Sequence, residues 1–175
     1  MLRGINVSGQ KKVNMQELKT IYQELNLQNV RTYIQSGNVI FESPESEPAY
    51  LSSQISDKLF QKYAFEIPVL VTKAAELETI VAGNLFLQKE GTVTEKLHVT
   101  FLWHTPESQN LEKLKAVNFE PDKFIVCNKV IYVYCADGYG RTKLTNTFFE
   151  NKLKTTATTR NWRTVNELLK IAALI

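Results

Sequence analysis

The sequence predicts an α+β fold of two tandem ferredoxin-like (α/β-plait) units, each in the order β-α-β-β-α-β and each followed by an extra helix. Three observations lead there. Two segments alternate in polarity and turn on short polar pairs, so they read as β-hairpins: residues 31–42 about Ser36-Gly37 and residues 124–135 about Asn128-Lys129. Amphipathic helical stretches and further apolar strands flank each hairpin in the same order. The length, 175 residues, suits one ordinary domain or two small ones. The expected units are residues 1–84 and 96–175, with residues 85–95 as a connecting loop.

In the first unit, residues 2–7 read as a short strand, and Ser8-Gly9-Gln10-Lys11-Lys12 as a basic loop. Asn14 is placed to cap a helix, with Glu17 as its capping-box partner and Val13 with Leu18 as the hydrophobic staple. Met15, Leu18, Tyr22 and Leu25 give that helix an apolar stripe. A two-residue hairpin loop pairs Ile34 with Val39, Thr32 with Phe41 and Arg31 with Glu42, leaving Thr32, Ile34, Val39 and Phe41 on a core face. Prolines in residues 44–48 suit a helix start, and Leu51, Ile55 and Leu59 repeat every four residues in the helix after it. Residues 66–72 read as a strand, Pro68 favouring its edge or beginning, and residues 73–82 as the trailing helix.

The second unit repeats this order. Leu97, Val99, Phe101 and Trp103 alternate along a strand, Thr105-Pro106 opens a helix, and Phe124, Val126, Ile131, Val133 and Cys135 form the core face of the hairpin. The opposite face, with Tyr132 and Tyr134, is too apolar to be wholly wet. Residues 144–153 form a helix, residues 155–159 a strand, and Asn161 caps a final helix. The hairpin register places Cys127 opposite Val130 and separates it from Cys135, so a bridge between the two cysteines is geometrically implausible.

Hydrophobic residues at 43% and charged residues at 22% match a globular chain rather than a disordered or fibrous one. No long apolar run and no signal-like start are present, so the expectation is a cytoplasmic protein without membrane contact. The net charge of +3 is unevenly spread. Residues 1–95 carry 9 Lys/Arg against 11 Asp/Glu, whereas residues 96–175 carry 12 against 7. That C-terminal excess suits an anionic partner such as nucleic acid or a phosphate-bearing metabolite.

Catalytic and metal chemistry find little support. Gly4 to Lys11 misses the P-loop pattern, since the lysine falls one place late and no Ser or Thr comes after it. His98 and His104, the two histidines, have no carboxylate or cysteine partner in sequence, so neither a triad nor a metal site is expected. No Gly-x-Ser-x-Gly elbow or RNP1 motif occurs. There remain two glycine-containing basic loops that precede helices, residues 4–12 and 138–143, together with the Arg160-Asn161-Trp162 helix start; these can meet an anion or stack a ring.

Three stretches, Leu2-Arg3-Gly4-Ile5-Asn6-Val7, Tyr33-Ile34-Gln35-Ser36-Gly37-Asn38-Val39 and Thr158-Thr159-Arg160-Asn161-Trp162-Arg163-Thr164-Val165, resemble the bacterial domain-of-unknown-function 1697 family. The resemblance spans nearly the whole chain. It implies a pair of α/β-plait units and no known reaction. Ser8 stands where members usually have glycine, and members usually carry several more apolar residues before the Leu-Arg-Gly motif.

The resulting expectation is a non-enzymatic binding protein without cofactor or metal. Its candidate surface comprises Arg3, Asn6, Lys11, Lys12, Gln35, Ser36, Asn38, Arg141, Lys143, Arg160, Asn161 and Trp162. Two alternatives stand beside it: an enzyme acting on a phosphorylated or nucleotide-like small molecule clamped by Arg3, Lys11, Arg141 and Arg160, and an interaction module using the Tyr132/Tyr134 face.

Overall fold

Capping and left-handed residues decide where each element begins and ends in the computed structural model, which describes residues 1–7 and 9–175. Ser8 lies outside the described residues. Among the described residues, the chain is a mixed α+β protein with two antiparallel sheets and six α-helices. The elements are α1 (Met15–Glu24), β1 (Gln28–Tyr33), β2 (Asn38–Glu42), α2 (Pro48–Tyr63), α3 (Ala74–Ala82), β3 (Leu97–Leu102), α4 (Ser108–Lys115), β4 (Lys123–Cys127), β5 (Val130–Tyr134), α5 (Asn146–Leu153), β6 (Ala157–Asn161) and α6 (Trp162–Ala172). None of the helices among the described residues is long and apolar enough to cross a membrane.

Two units divide the chain, one of residues 1–77 with 167–175 and one of residues 78–166. These bounds differ from the expected 1–84 and 96–175. Residues 85–95 are not a free connector. Asn84 caps a short 3₁₀ turn, Leu85–Gln88, and Phe86 buries its ring 6.1 Å from that of Tyr134 in the second unit. Residues 167–175, the end of α6 and the last three residues of the chain, group with the first unit instead.

The first unit centres on an apolar cluster that includes Leu2, Leu18, Tyr22, Leu51, Ile55, Leu59 and Ile67. Asn14 caps α1 as anticipated, accepting from the N–H groups of Gln16 and Glu17, and the staple residues Val13 and Leu18 are both buried. Glu17 instead accepts from the Tyr63 hydroxyl, 3.3 Å away.

Residues 2–7 and 66–72, expected as strands, are each reduced to isolated bridging. Leu2 meets Val69 in one antiparallel bridge, and Arg3 N–H donates to the Pro68 carbonyl at 2.9 Å. Gly4 at φ 72° and Asn6 at φ 54° turn the chain out of the extended region, so no ladder propagates past Arg3. Among the described residues, only β1 and β2 form a sheet in this unit.

Their register differs from the expected one by two residues: Tyr33 pairs with Asn38, Thr32 with Val39 and Arg31 with Ile40. The loop holds four residues rather than two, because both Ile34 (φ 51°) and Gly37 (φ 74°) are left-handed. A shift of two preserves faces, so Val39 and Phe41 still pack on the core, but Ile34 leaves it and is 49% exposed.

The second unit contains a four-stranded sheet in the order β4-β5-β3-β6, antiparallel throughout. The two-residue loop Asn128-Lys129, with Asn128 at φ 54°, sets the anticipated register of Cys127 opposite Val130. Both cysteines are free, Cys127 exposed and Cys135 buried. The central strand β3 is buried at every position. A core that includes Leu102, Leu114, Ile131, Val133, Phe149 and Leu153 covers one face. Over the other, the Tyr132 hydroxyl donates to the Ile80 carbonyl at 2.9 Å and Tyr134 meets Phe86. Helix starts fall later than expected: Glu107, not Thr105, precedes α4, and Thr145 caps α5.

Candidate functional site

The twelve candidate residues divide between the units. Arg3, Asn6, Lys11, Lys12, Gln35, Ser36 and Asn38 belong to the first; Arg141, Lys143, Arg160, Asn161 and Trp162 belong to the second.

In the first unit the amides act as ties between loops. Asn6, in left-handed backbone, donates through Nδ2 to the carbonyls of Val13 and Gln35 and accepts from Val13 N–H, each at 2.9 Å. Asn38 is fully buried and donates to the Tyr33 carbonyl at 3.2 Å and Ser36 Oγ at 2.9 Å. Together with the bond from Leu2 N–H to the Gly37 carbonyl, these contacts hold the hairpin turn against the first loop. Exposed Gln35 and half-buried Ser36 sit on that turn.

Two backbone donors of the first loop are already spent inside it. Asn6 N–H donates to the Lys11 carbonyl and Gln10 N–H to the Val7 carbonyl, while Asn14 occupies the first N–H groups of α1. A backbone donor already bonded is not on offer to a phosphate. Lys11 is committed as well: its ammonium donates to the Glu66 carbonyl at 2.7 Å and lies 5.6 Å over the Phe65 ring. Lys12 remains exposed.

In the second unit Arg160 is buried at 8% exposure, on β6 beside β3. Its guanidinium donates to Thr158 Oγ1 at 2.8 Å and to the Thr159 carbonyl at 2.9 Å. Asn161 caps α6 by accepting from Thr164 N–H at 2.7 Å, and Trp162 packs inward at 9% exposure. Arg160 and Trp162 therefore face inward, while Asn161, itself exposed, is spent on the cap. Residues 80–86 of the same unit lie over the Tyr132/Tyr134 face, leaving Tyr132 2% exposed and Tyr134 half-buried.

The loop at 138–143 is fastened through Asp122, whose carboxylate accepts from Ala136 N–H and from the Thr142 hydroxyl. Arg141 and Lys143 project from it and are exposed. Further along, Lys152, Lys154 and Arg163 are exposed too. Among the described residues, none of these five side chains has a hydrogen bond or ion pair. Lys170, by contrast, is engaged by Glu167 at 2.7 Å. Sequence composition located this positive excess; which of its members are free depends on burial and pairing that composition does not contain.

Sequence reasoning missed a cavity of about 420 Å³ in the first unit, walled by β2, the segment leading into α2, residues 70–77 and the end of α6. Asn38 is the one candidate residue on its wall. No local signal points to it, because separated segments contribute.

Titratable groups are tuned by burial. His98 stacks on Tyr139 with ring centres 4.8 Å apart and sets Nδ1 3.2 Å from the Lys96 carbonyl; loss of water lowers its pKa. Burial pushes the Cys135 thiol up to about 11. Burial, then the charge of Glu17, lifts Tyr63 to about 12. Among the described residues, no group of three or more His, Cys, Asp or Glu side chains is placed to hold a metal.

Comparison with known proteins agrees with the mixed α+β architecture. A solved structure titled as conserved bacterial protein SP0830 from Streptococcus pneumoniae is similar, with a TM-score of 0.67 and 21% sequence identity over 98% of this chain and 96% of that one. At that identity the likeness concerns the fold alone. No curated protein matches the chain. A family model described as Protein of unknown function (DUF1697) matches residues 1–132, a span that includes the first two motifs and stops before the third, Thr158 to Val165. Three quarters of the sequence is thus accounted for by that model, and the chain belongs to the DUF1697 family of proteins of unknown function.

Proposed function

We propose that the chain is a cytoplasmic, non-enzymatic binding protein that meets a phosphate-bearing partner, nucleic acid or a smaller ligand, through exposed cations of its second unit. One observation carries the reading: Arg141, Lys143, Lys152, Lys154 and Arg163 are exposed with no side-chain partner among the described residues. The same stretch offers one carboxylate, Glu150, which accepts from Ala157 N–H. Unpaired surface cations attract polyanions by releasing the counterions held on phosphate.

The same reading treats the chain as tandem plaits. The β4-β5-β3-β6 order of the second unit supports it. So do the Leu2–Val69 bridge and the Leu2 to Gly37 bond, which set reduced outer segments beside β2 in a corresponding order.

Fluorescence anisotropy of labelled RNA and DNA across a salt series tests the function, with inorganic pyrophosphate as competitor to separate the two kinds of partner. Binding is expected to weaken with salt, and the Arg141→Ala/Lys143→Ala variant to lower the slope by about one for each phosphate no longer neutralised. Absence of RNA, DNA and pyrophosphate binding at low salt, or an unchanged slope in the variant, overturns the proposal.

A further inference from the structure

The cavity of the first unit has a division of character that selects a ligand. Its floor is apolar, with Tyr22, Leu77 and Leu168 buried and Val39 and Phe41 half-buried. Its volume of about 420 Å³ lies within the range of about 300–1,000 Å³ typical of small-molecule pockets. Its lining also carries charge: the exposed carboxylates of Glu42 and Glu45, three residues apart, exposed Lys73 on the segment leading into α3, and the Met1 ammonium, which is taken up by the Leu70 carbonyl at 2.7 Å.

Neither carboxylate has a cation. Glu42 accepts from the Asn29 side-chain amide, and Glu45 accepts from Glu47 N–H at 2.8 Å; no ion pair reaches either among the described residues. A molecule seated on the apolar floor takes water from these groups as it binds. Removing water from an unpaired carboxylate is costly unless the incoming molecule brings a positive charge to it. A neutral or anionic occupant meets that cost twice on this wall, whereas a cation offsets it with charge-assisted hydrogen bonds.

We infer that this cavity binds an amphipathic organic cation, its apolar body on the Tyr22, Phe41 and Leu168 floor and its protonated amine at Glu42 and Glu45.

Calorimetric titration of the full chain with phenylbutylamine, phenylbutanol and phenylbutyrate, three probes with one apolar body and different ends, tests this. The amine is expected to bind about tenfold or more tighter than the alcohol, the gain of one charge-assisted contact, and the carboxylate most weakly. Glu42→Gln/Glu45→Gln should bring the amine to the level of the alcohol without moving the melting temperature, since neither side chain is buried. Ala172→Phe, which fills the floor, should abolish all three titrations; the melting curve confirms that it is folded, and the double glutamine variant stands as the test if it is not. Equal binding of the three probes, preference for the carboxylate, no binding of the amine, or amine affinity unchanged in the double variant overturns the inference. So does light scattering that shows a dimer at working concentration which Ala172→Phe dissociates, because the occupant is then a second copy.

Discussion

Gly37→Ala is the sharpest test of how the first unit is built. Gly37 closes the hairpin turn at φ 74°, and its carbonyl accepts from Leu2 N–H. An alanine there meets two costs. The left-handed backbone disfavours any Cβ by about 1–2 kcal/mol. That Cβ would also fall 2.7 Å from Leu2 Cβ and 2.8 Å from Ile5 Cδ1. Leu2 and Ile5 are 1% and 2% exposed and have nowhere to retreat, so overpacking adds about 1–3 kcal/mol. The sum is about 2–5 kcal/mol, equivalent to a fall in melting temperature of roughly 2–4 °C per kcal/mol for a chain of this size. Gly4→Ala is the control, since Gly4 has a similar φ of 72° but nothing within 4 Å of its Cβ position. It should lose only the backbone share. Urea denaturation of both variants reads the difference. If Gly37→Ala is no less stable than Gly4→Ala, the claim that Leu2 and Ile5 press on the turn is refuted.

The second unit offers further tests. His98 has a lowered folded pKa, so the unfolded chain binds its proton first; stability should be full above the ordinary histidine range and decline as pH falls through about 6.5 toward the folded value. His98→Phe keeps an aromatic stack on Tyr139 and should flatten that slope in urea midpoints taken across the window. Tyr132→Phe removes the bond to Ile80 and should cost about 1 kcal/mol; Gly83→Ala, whose Cβ would lie 3.2 Å from the Tyr132 hydroxyl, should be better tolerated in the Tyr132→Phe background than alone. Combining the two should recover part of the loss, and strict additivity in a double-mutant cycle would count against the contact. With a thiol reagent near neutral pH, exposed Cys127 should react promptly and buried Cys135 only on unfolding; equal rates in the native protein would contradict the burial.

Periodicity and caps were the most legible features of the sequence. The stripe of Leu51, Ile55 and Leu59 is buried as spaced, Asn14 and Asn161 cap the helices they precede, and Asn128-Lys129 sets the register of the second hairpin. The first hairpin was harder to read, because a β-branched residue at φ 51° is disfavoured by every local rule and Ile34 adopts it only under tertiary constraint. Asn6 and Asn38, held by bonds to backbone outside their own segments, supply that constraint. Candidate residues were recognisable as chemically capable, but capability did not predict use. Arg160 turned inward, Asn161 and Lys11 are spent on a helix cap and a backbone carbonyl while still exposed, and Arg141 and Lys143 project without a partner among the described residues.

By itself, then, the sequence determined family, the mixed α+β class and the C-terminal positive excess, since these rest on motifs, composition, spacing and local backbone preference. Only the tertiary structure decided which cations are bonded internally, that residues 80–86 cover the Tyr132 face, and that a cavity opens behind β2 with two unpaired carboxylates at its margin. The physical reason is that burial and pairing are properties of segments far apart in the chain, and no window of local sequence contains both partners.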